Sequence, residues 1–356
     1  ADLPDSADYG FNGSPRQLIN PERLKTVFLQ MLHEAHCEVL LYTFVCEPIM
    51  DSGRLSGVII ENKSGRQAIF AKIIIDSTGD GDIAAKAGAA YVKGRETDGA
   101  MQPASLMFKI GGVDYSRAVF PGKFEDYIQI PKGEIQALGK SHLPFPAGHV
   151  LLYRSTLPGV VTCNMTNCTG IDGTNAADLS RAVLVCRNQL QPILDFLHEF
   201  VPGYESCYLL ETASLIGVRE TRHFKGLETI TEEDIRSSRV FPDWAVTHAS
   251  FNFDVHNMTG NGLDATGAQD AFTATSYTIP YGCLVPEKID GLLLAGRNIS
   301  GTHMAHANYR VMPICANMGQ AAGIAAALCC KEDIQPRDVK VPELQKLLLQ
   351  NGVLPV

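Results

Sequence analysis

Two short stretches hold most of the side chains in this chain that could do chemistry. Arg219, Glu220, Arg222 and His223 follow directly on the apolar run 213–218. Two guanidiniums flanking a carboxylate suit bidentate capture of an anionic substrate, because the planar fork matches a carboxylate's paired oxygens. The same residues would equally make a structural ion-pair network at a domain junction. The second stretch carries His303, His306, Asn308 and Arg310. Imidazole changes charge near neutrality, so a histidine here could pass a proton to or from a substrate during a redox step. His303 is the better placed, next to the Gly301 turn; capping or support is the plain alternative for each histidine. His303, Arg219 and Arg310 are therefore the expected catalytic groups, with Arg222 and His306 expected to touch substrate.

These residues need elements to hold them. Leu292–Ala295 is a short apolar run of the kind that forms a buried parallel strand. It ends at Gly296, where a backbone without a side chain can approach a ligand. A helix is expected to start near Pro313, and Gly319, Ala322, Gly323 and Ala326 recur along it at helical spacing. Strand, glycine turn and helix N-terminus together place N–H groups and a positive dipole end at an anionic cofactor. Earlier in the chain, Asn20 and Pro21 mark a helix start, with Leu24, Val27, Phe28, Met31, Leu32 and Ala35 on one face. Three strands follow over 38–49, 55–61 and 67–75, with Ser-Gly turns between them, which predicts an antiparallel meander. The last run becomes wholly apolar at Ile73–Ile75 and is expected to enter a parallel sheet. From about 112 to 276 prolines and aromatics increase; strands over 149–154 and 159–165 and a helix over 177–200, kinked by Pro192, are expected there. A short amphipathic helix closes the chain over 341–349.

Three segments taken in order are more specific than any one of them. Ile73-Ile-Ile-Asp-Ser-Thr-Gly-Asp-Gly-Asp leads on to Gly94-Arg-Glu and Gly111-Gly-Val-Asp. Gly217-Val-Arg-Glu-Thr-Arg-His-Phe-Lys-Gly follows, and then Gly291-Leu-Leu-Leu-Ala-Gly-Arg-Asn-Ile-Ser-Gly-Thr-His, running on to Met318-Gly-Gln-Ala-Ala-Gly. Over essentially its whole length the chain resembles FAD-dependent oxidoreductases with the glutathione-reductase-type FAD fold, distant relatives of fumarate reductase and succinate dehydrogenase flavoproteins. The resemblance implies an α/β fold: a three-layer FAD/NAD(P)-binding domain over 1–111 and 277–330, an α+β substrate domain rich in antiparallel sheet inserted at 112–276, and a tail from 331. It implies FAD as cofactor, with Val45 beside the adenine, Thr78 and Gly79 near the ADP portion, and Gly296, Arg297, Asn298, Gly319, Gln320 and Ala321 around the flavin. The implied activity is flavin-mediated hydride transfer on a small, anionic organic molecule. Reduction of a carbon–carbon double bond in a carboxylic acid, and a silent flavoprotein-like scaffold, are the alternatives.

One departure stands out. Families of this kind open on a strand, a Gly-x-Gly-x-x-Gly turn and a helix that hold the cofactor pyrophosphate. No such fingerprint occurs here, and Asp80 and Asp82 put negative charge around Gly79 and Gly81. The chain starts at Ala1 in a polar stretch (Asp2, Pro4, Asp5, Ser6, Asp8), so it reads as a piece whose first βαβ unit lies upstream.

Composition narrows the partners. A net charge of −9 argues against nucleic acid, which needs clustered Lys and Arg. No unbroken apolar run reaches the roughly 18 residues of a membrane span. The ten cysteines contain no Cys-x-x-Cys pair, so no metal site is expected from them and a reduced, cytoplasmic setting is favoured. Oligomeric state is open.

Overall fold

The computed structural model describes residues 8–11, 14–121, 126–263 and 275–356. The opening polar residues Asp2, Pro4, Asp5 and Ser6 lie outside them. The chain forms two compact units, both discontinuous in sequence: one of 1–40, 102–219 and 256–264, the other of 41–101, 220–255 and 265–356.

The first unit is built on a four-stranded antiparallel sheet, ordered Leu152–Arg154, Val161–Cys163, Phe108–Gly111, Tyr208–Thr212. Helices Ala176–Asn188 and Leu190–Phe200 accompany it. The single kinked helix expected over 177–200 is two helices that meet at Gln189. Pro192 sits in the first turn of the second, where a missing N–H costs nothing. Ile193, Leu194, Phe196 and Leu197 of that helix join Phe108, Ile110, Val161 and Cys163 of the sheet in one core.

The Pro21–Glu34 helix starts as its residues dictate: Asn20 Oδ1 accepts from the N–H groups of Glu22 and Arg23, and Pro21 takes the first turn. Its apolar face does not become core. None of its residues is buried, and Phe28 and Met31 are more than half exposed.

In the second unit the meander forms as expected, with strands Phe44–Asp51, Arg54–Asn62 and Gly65–Phe70 in antiparallel order. The first strand begins later than residue 38, and the last stops at Phe70. Ser52 and Gly53 both take positive φ, 51° and 88°, as a two-residue turn between right-twisted strands requires. The chain then re-forms a strand at Ile74–Asp76, which pairs in parallel with Leu292–Leu294, Ile74 opposite Leu292 and Asp76 opposite Leu294. All three leucines are fully buried, which explains an unbroken apolar run where one-sided strands alternate.

Beneath this pair lies the helix Met312–Glu332, contributing Met318, Ala321, Ala322, Ala325 and Leu328 to the core. It is long and apolar enough to cross a bilayer by length and composition, although Asn317 and Gln320 interrupt its apolar residues so that no unbroken run marks it. Its buried side chains are nonetheless those of a core helix. The closing helix, Val341–Gln350, packs against it through Leu344 and Leu348. All ten cysteines are free.

Candidate active site

The parallel pair ends in a carboxylate with four donors. Asp76 Oδ1 accepts from the Thr78 N–H and hydroxyl, and Oδ2 accepts from the N–H groups of Ile83 and Ala84 at the start of the Asp82–Lys86 helix. A strand end is thereby tied to a helix start, where anionic charge is favoured. Thr78 is used up within this turn, since its hydroxyl also receives the Asp82 N–H. Gly79, at φ +82°, lies under the Arg297 guanidinium, which would meet any Cβ there. Arg297 in turn pairs with Asp80 at 2.9 Å. The Asp80 and Asp82 charges are thus matched inside the fold: Thr221 donates to Asp80 at 2.6 Å, and Arg222 reaches the Asp80 carbonyl and the Asp82 carboxylate.

On the other side of the pair, Gly296 has φ +105° and its Cβ position meets only Asn298. Asn298 is wholly buried and donates to the Asp76 carbonyl at 3.0 Å, while its Oδ1 has no hydrogen-bond partner. Gly319 and Gly323 of the long helix face open space. An orphaned buried acceptor and open glycines fit a flat, donor-bearing group such as FAD. The helix begins at Met312, however, so Gly319 is two turns in and offers room rather than free N–H groups. Of its neighbours, Gln320 donates to the Asn351 carbonyl and Ala321 is core. Val45 lies in the meander, opposite Ile60.

The two chemical stretches meet at Glu220. His303 and His306 sit one turn apart on a short helix, His303–Tyr309, capped by Thr302. Glu96 accepts the His303 N–H at 2.8 Å, meeting an N–H that has no partner within the helix. Glu220 Oε1 lies 2.6 Å from His303 Nδ1 and 2.8 Å from His223 Nε2, and all three residues are at most 3% exposed. Burial alone would raise the Glu220 pKa, yet the hydrogen bonds from His223 and His303, with His306 nearby, hold it far below the usual carboxylate range. The carboxylate therefore stays charged in the interior. Burial foremost, then the His223 ring, pushes the His306 pKa well down, leaving that imidazole neutral. The His223 and His306 rings meet edge to face, centroids 4.7 Å apart.

The arginines are placed otherwise than a substrate clamp needs. Arg222 is committed to Asp80 and Asp82. Arg310 pairs with Asp254 through both its carbonyl and its carboxylate, at 2.8 and 2.9 Å. Arg219 belongs to the first unit, where it donates to the Pro103 carbonyl at 2.6 Å. Asn308 bridges the Tyr277 hydroxyl and the Phe251 carbonyl. An open cavity of about 400 Å³ adjoins the His303 helix, lined among others by Glu96, Glu232, Glu233, Arg236, Thr302 and Met304. Three carboxylates against one guanidinium give its wall a charge that repels anions. Glu96 and Asp254 were not singled out from sequence; Glu96 stands in the quoted Gly94-Arg-Glu motif, and Asp254 carried no signal.

No match to a curated protein is found. Among solved structures, a geranylgeranyl bacteriochlorophyll reductase-like protein from Thermoplasma acidophilum is 12% identical, with TM-score 0.46, over 93% of this chain and 59% of its own. A p-nitrophenol 4-monooxygenase from Pseudomonas putida DLL-E4 is 12% identical, with TM-score 0.37, over 60% and 46%. An L-proline dehydrogenase from P. horikoshii is 12% identical, with TM-score 0.33, over 95% and 62%. The chain thus spans less than two thirds of the length of each. The family model "FAD dependent oxidoreductase" matches residues 4–348. On that match, which takes in the Asp76 turn, Glu220 and the His303 helix alike, the chain belongs to the FAD dependent oxidoreductase family.

Proposed function

We propose that this chain carries the redox centre of an FAD-dependent enzyme that moves a hydride to or from a small organic substrate. The carrying observation is the buried Glu220–His303 pair, in the same compact unit as the Gly296–Asn298 turn and the long glycine-bearing helix. FAD, when bound, supplies the hydride acceptor. Gly296, Asn298 and the face of Gly319 and Gly323 would hold it, by close backbone approach and by the unmet Asn298 Oδ1.

Glu220 binds His303 through Nδ1, which fixes the ring's orientation and leaves Nε2 to exchange the proton that accompanies hydride transfer. A permanently charged, buried carboxylate also steadies the imidazolium that this exchange creates. The expectation of an anionic substrate loses support, because Arg222 and Arg310 already have carboxylate partners and the cavity beside His303 is lined by acids.

The test uses the protein as its natural gene encodes it. It should purify yellow, and anaerobic mixing with a panel of small alcohols, amines and unsaturated acids should find one that changes flavin absorbance. His303→Gln should keep its flavin content and slow that reaction by roughly 10²–10⁴-fold, the range of general acid–base catalysis. A colourless protein, or a variant as fast as the parent, would sink the reading.

A further inference from the structure

Glu220 serves His303 with one contact, but two other histidines are buried against the same carboxylate, and their ring nitrogens are not all accounted for. His223 Nδ1 and His306 Nδ1 are both buried without a hydrogen-bond partner. In a neutral imidazole one nitrogen donates and the other offers a lone pair. His223 faces Glu220 through Nε2, so a cation shared with Glu220 takes that nitrogen in place of its proton, and the neutral ring then carries its proton on the unpartnered Nδ1. Both rings belong to residues at most 2% exposed, and Glu220 is 1% exposed, so bulk water does not fill the gap.

One ligand atom from each of Glu220, His223 and His306 can be chosen so that all three lie within 4.8 Å of one another. For any such triangle there is a point no more than about 2.8 Å from every corner. An inward shift of about 0.7 Å per atom then reaches the 2.0–2.2 Å of zinc–nitrogen and zinc–oxygen bonds. Two histidines and one carboxylate form the ligand set of catalytic zinc sites and of non-haem iron(II) sites, both of which leave coordination positions open.

We infer that Glu220, His223 and His306 form a binding site for one divalent transition-metal ion, zinc or iron(II). His303, bonded to Glu220 through Nδ1, is the outer partner that aims the carboxylate. This goes beyond the flavin reading, which needs only the Glu220–His303 contact. Loss of metal binding would leave flavin content untouched, so the two ideas fail separately.

The probe is Zn²⁺, added to the full chain after chelator treatment and followed by equilibrium dialysis with metal analysis. One equivalent should bind. Glu220→Gln and His306→Gln should each weaken binding by at least roughly 100-fold, and His303→Gln by the 10–100-fold usual for an outer partner. Circular dichroism checks that each variant folds. Since buried substitutions can unfold a protein, unmodified crystals soaked in Zn²⁺ give an independent answer. An anomalous peak among Glu220, His223 and His306 supports the site. Less than one equivalent bound, equal affinity in folded variants, or a peak only elsewhere overturns it.

Discussion

Glu228 is the residue whose charge the fold alters most openly outside the Glu220 cluster. Burial first, and then a hydrogen bond and charge from Asp243, push its carboxyl up from 4.5 to about 7. An acid with a raised folded pKa binds its proton more tightly in the native state. Its contribution to stability is therefore complete below about pH 4.5 and is lost as pH rises through about 7. His306, whose pKa folding lowers, contributes a slope of the opposite sign below about 6.5, so Glu228 is read by difference: the midpoint of the parent minus that of Glu228→Gln should fall as pH rises between those limits, and a difference that does not change with pH would show that the Glu228 carboxyl is not raised. At this scale the sequence was a partial guide. The histidines at 303 and 306 were visible from their place after a glycine turn. The meeting of Glu220 with His303 was not, because the two are 83 positions apart and nothing local marks a tertiary contact. Arg222 looked like a substrate clamp and Arg310 like a catalytic group for the same reason: their carboxylate partners, Asp82 and Asp254, are supplied from elsewhere in the chain.

Elements were more legible than contacts, wherever a local physical cause wrote itself into adjacent residues. Asn20 and Pro21 announce a helix start, Ser52-Gly53 announces a tight turn, and an unbroken Leu292–Leu294 announces burial on both faces. The His303–Tyr309 helix escaped notice because seven residues give too few turns for a periodic pattern. The long helix invites a test at Gly319, where a side chain would meet nothing within 4 Å. Gly319→Val should be neutral or stabilising by a few tenths of a kcal/mol, since valine has the better helix propensity. If FAD lies against this face, flavin content should nevertheless fall sharply. A folded Gly319→Val protein with a full flavin load would reduce the stripe to a surface feature. Thermal melts and flavin absorbance on the same sample decide between the two.

At the scale of the whole molecule, a 14-residue helix with no buried residue is an anomaly, because helices in proteins are ordinarily held by packing of their apolar face. Phe28 and Met31 should behave as surface residues. Phe28→Ser should change stability by no more than about 0.5 kcal/mol, while lowering the fluorescence of a hydrophobic dye and any tendency to self-associate. A loss of several kcal/mol would mean that this face is covered in solution.

The pairing of Ile74–Asp76 with Leu292–Leu294 also bears on how the molecule comes into being. The two strands are separated by more than 200 residues, so joining them costs on the order of 5 kcal/mol of loop-closure entropy. During synthesis the stretch 102–219, which carries most of the first unit, leaves the ribosome as one continuous piece and can begin to fold at once. The meander and the Asp76 turn, made far earlier, must wait for Leu292 before their parallel partner exists. Until then Ile74 and Ile75 lack their parallel partner, and an unpaired apolar strand edge invites chaperones and aggregation.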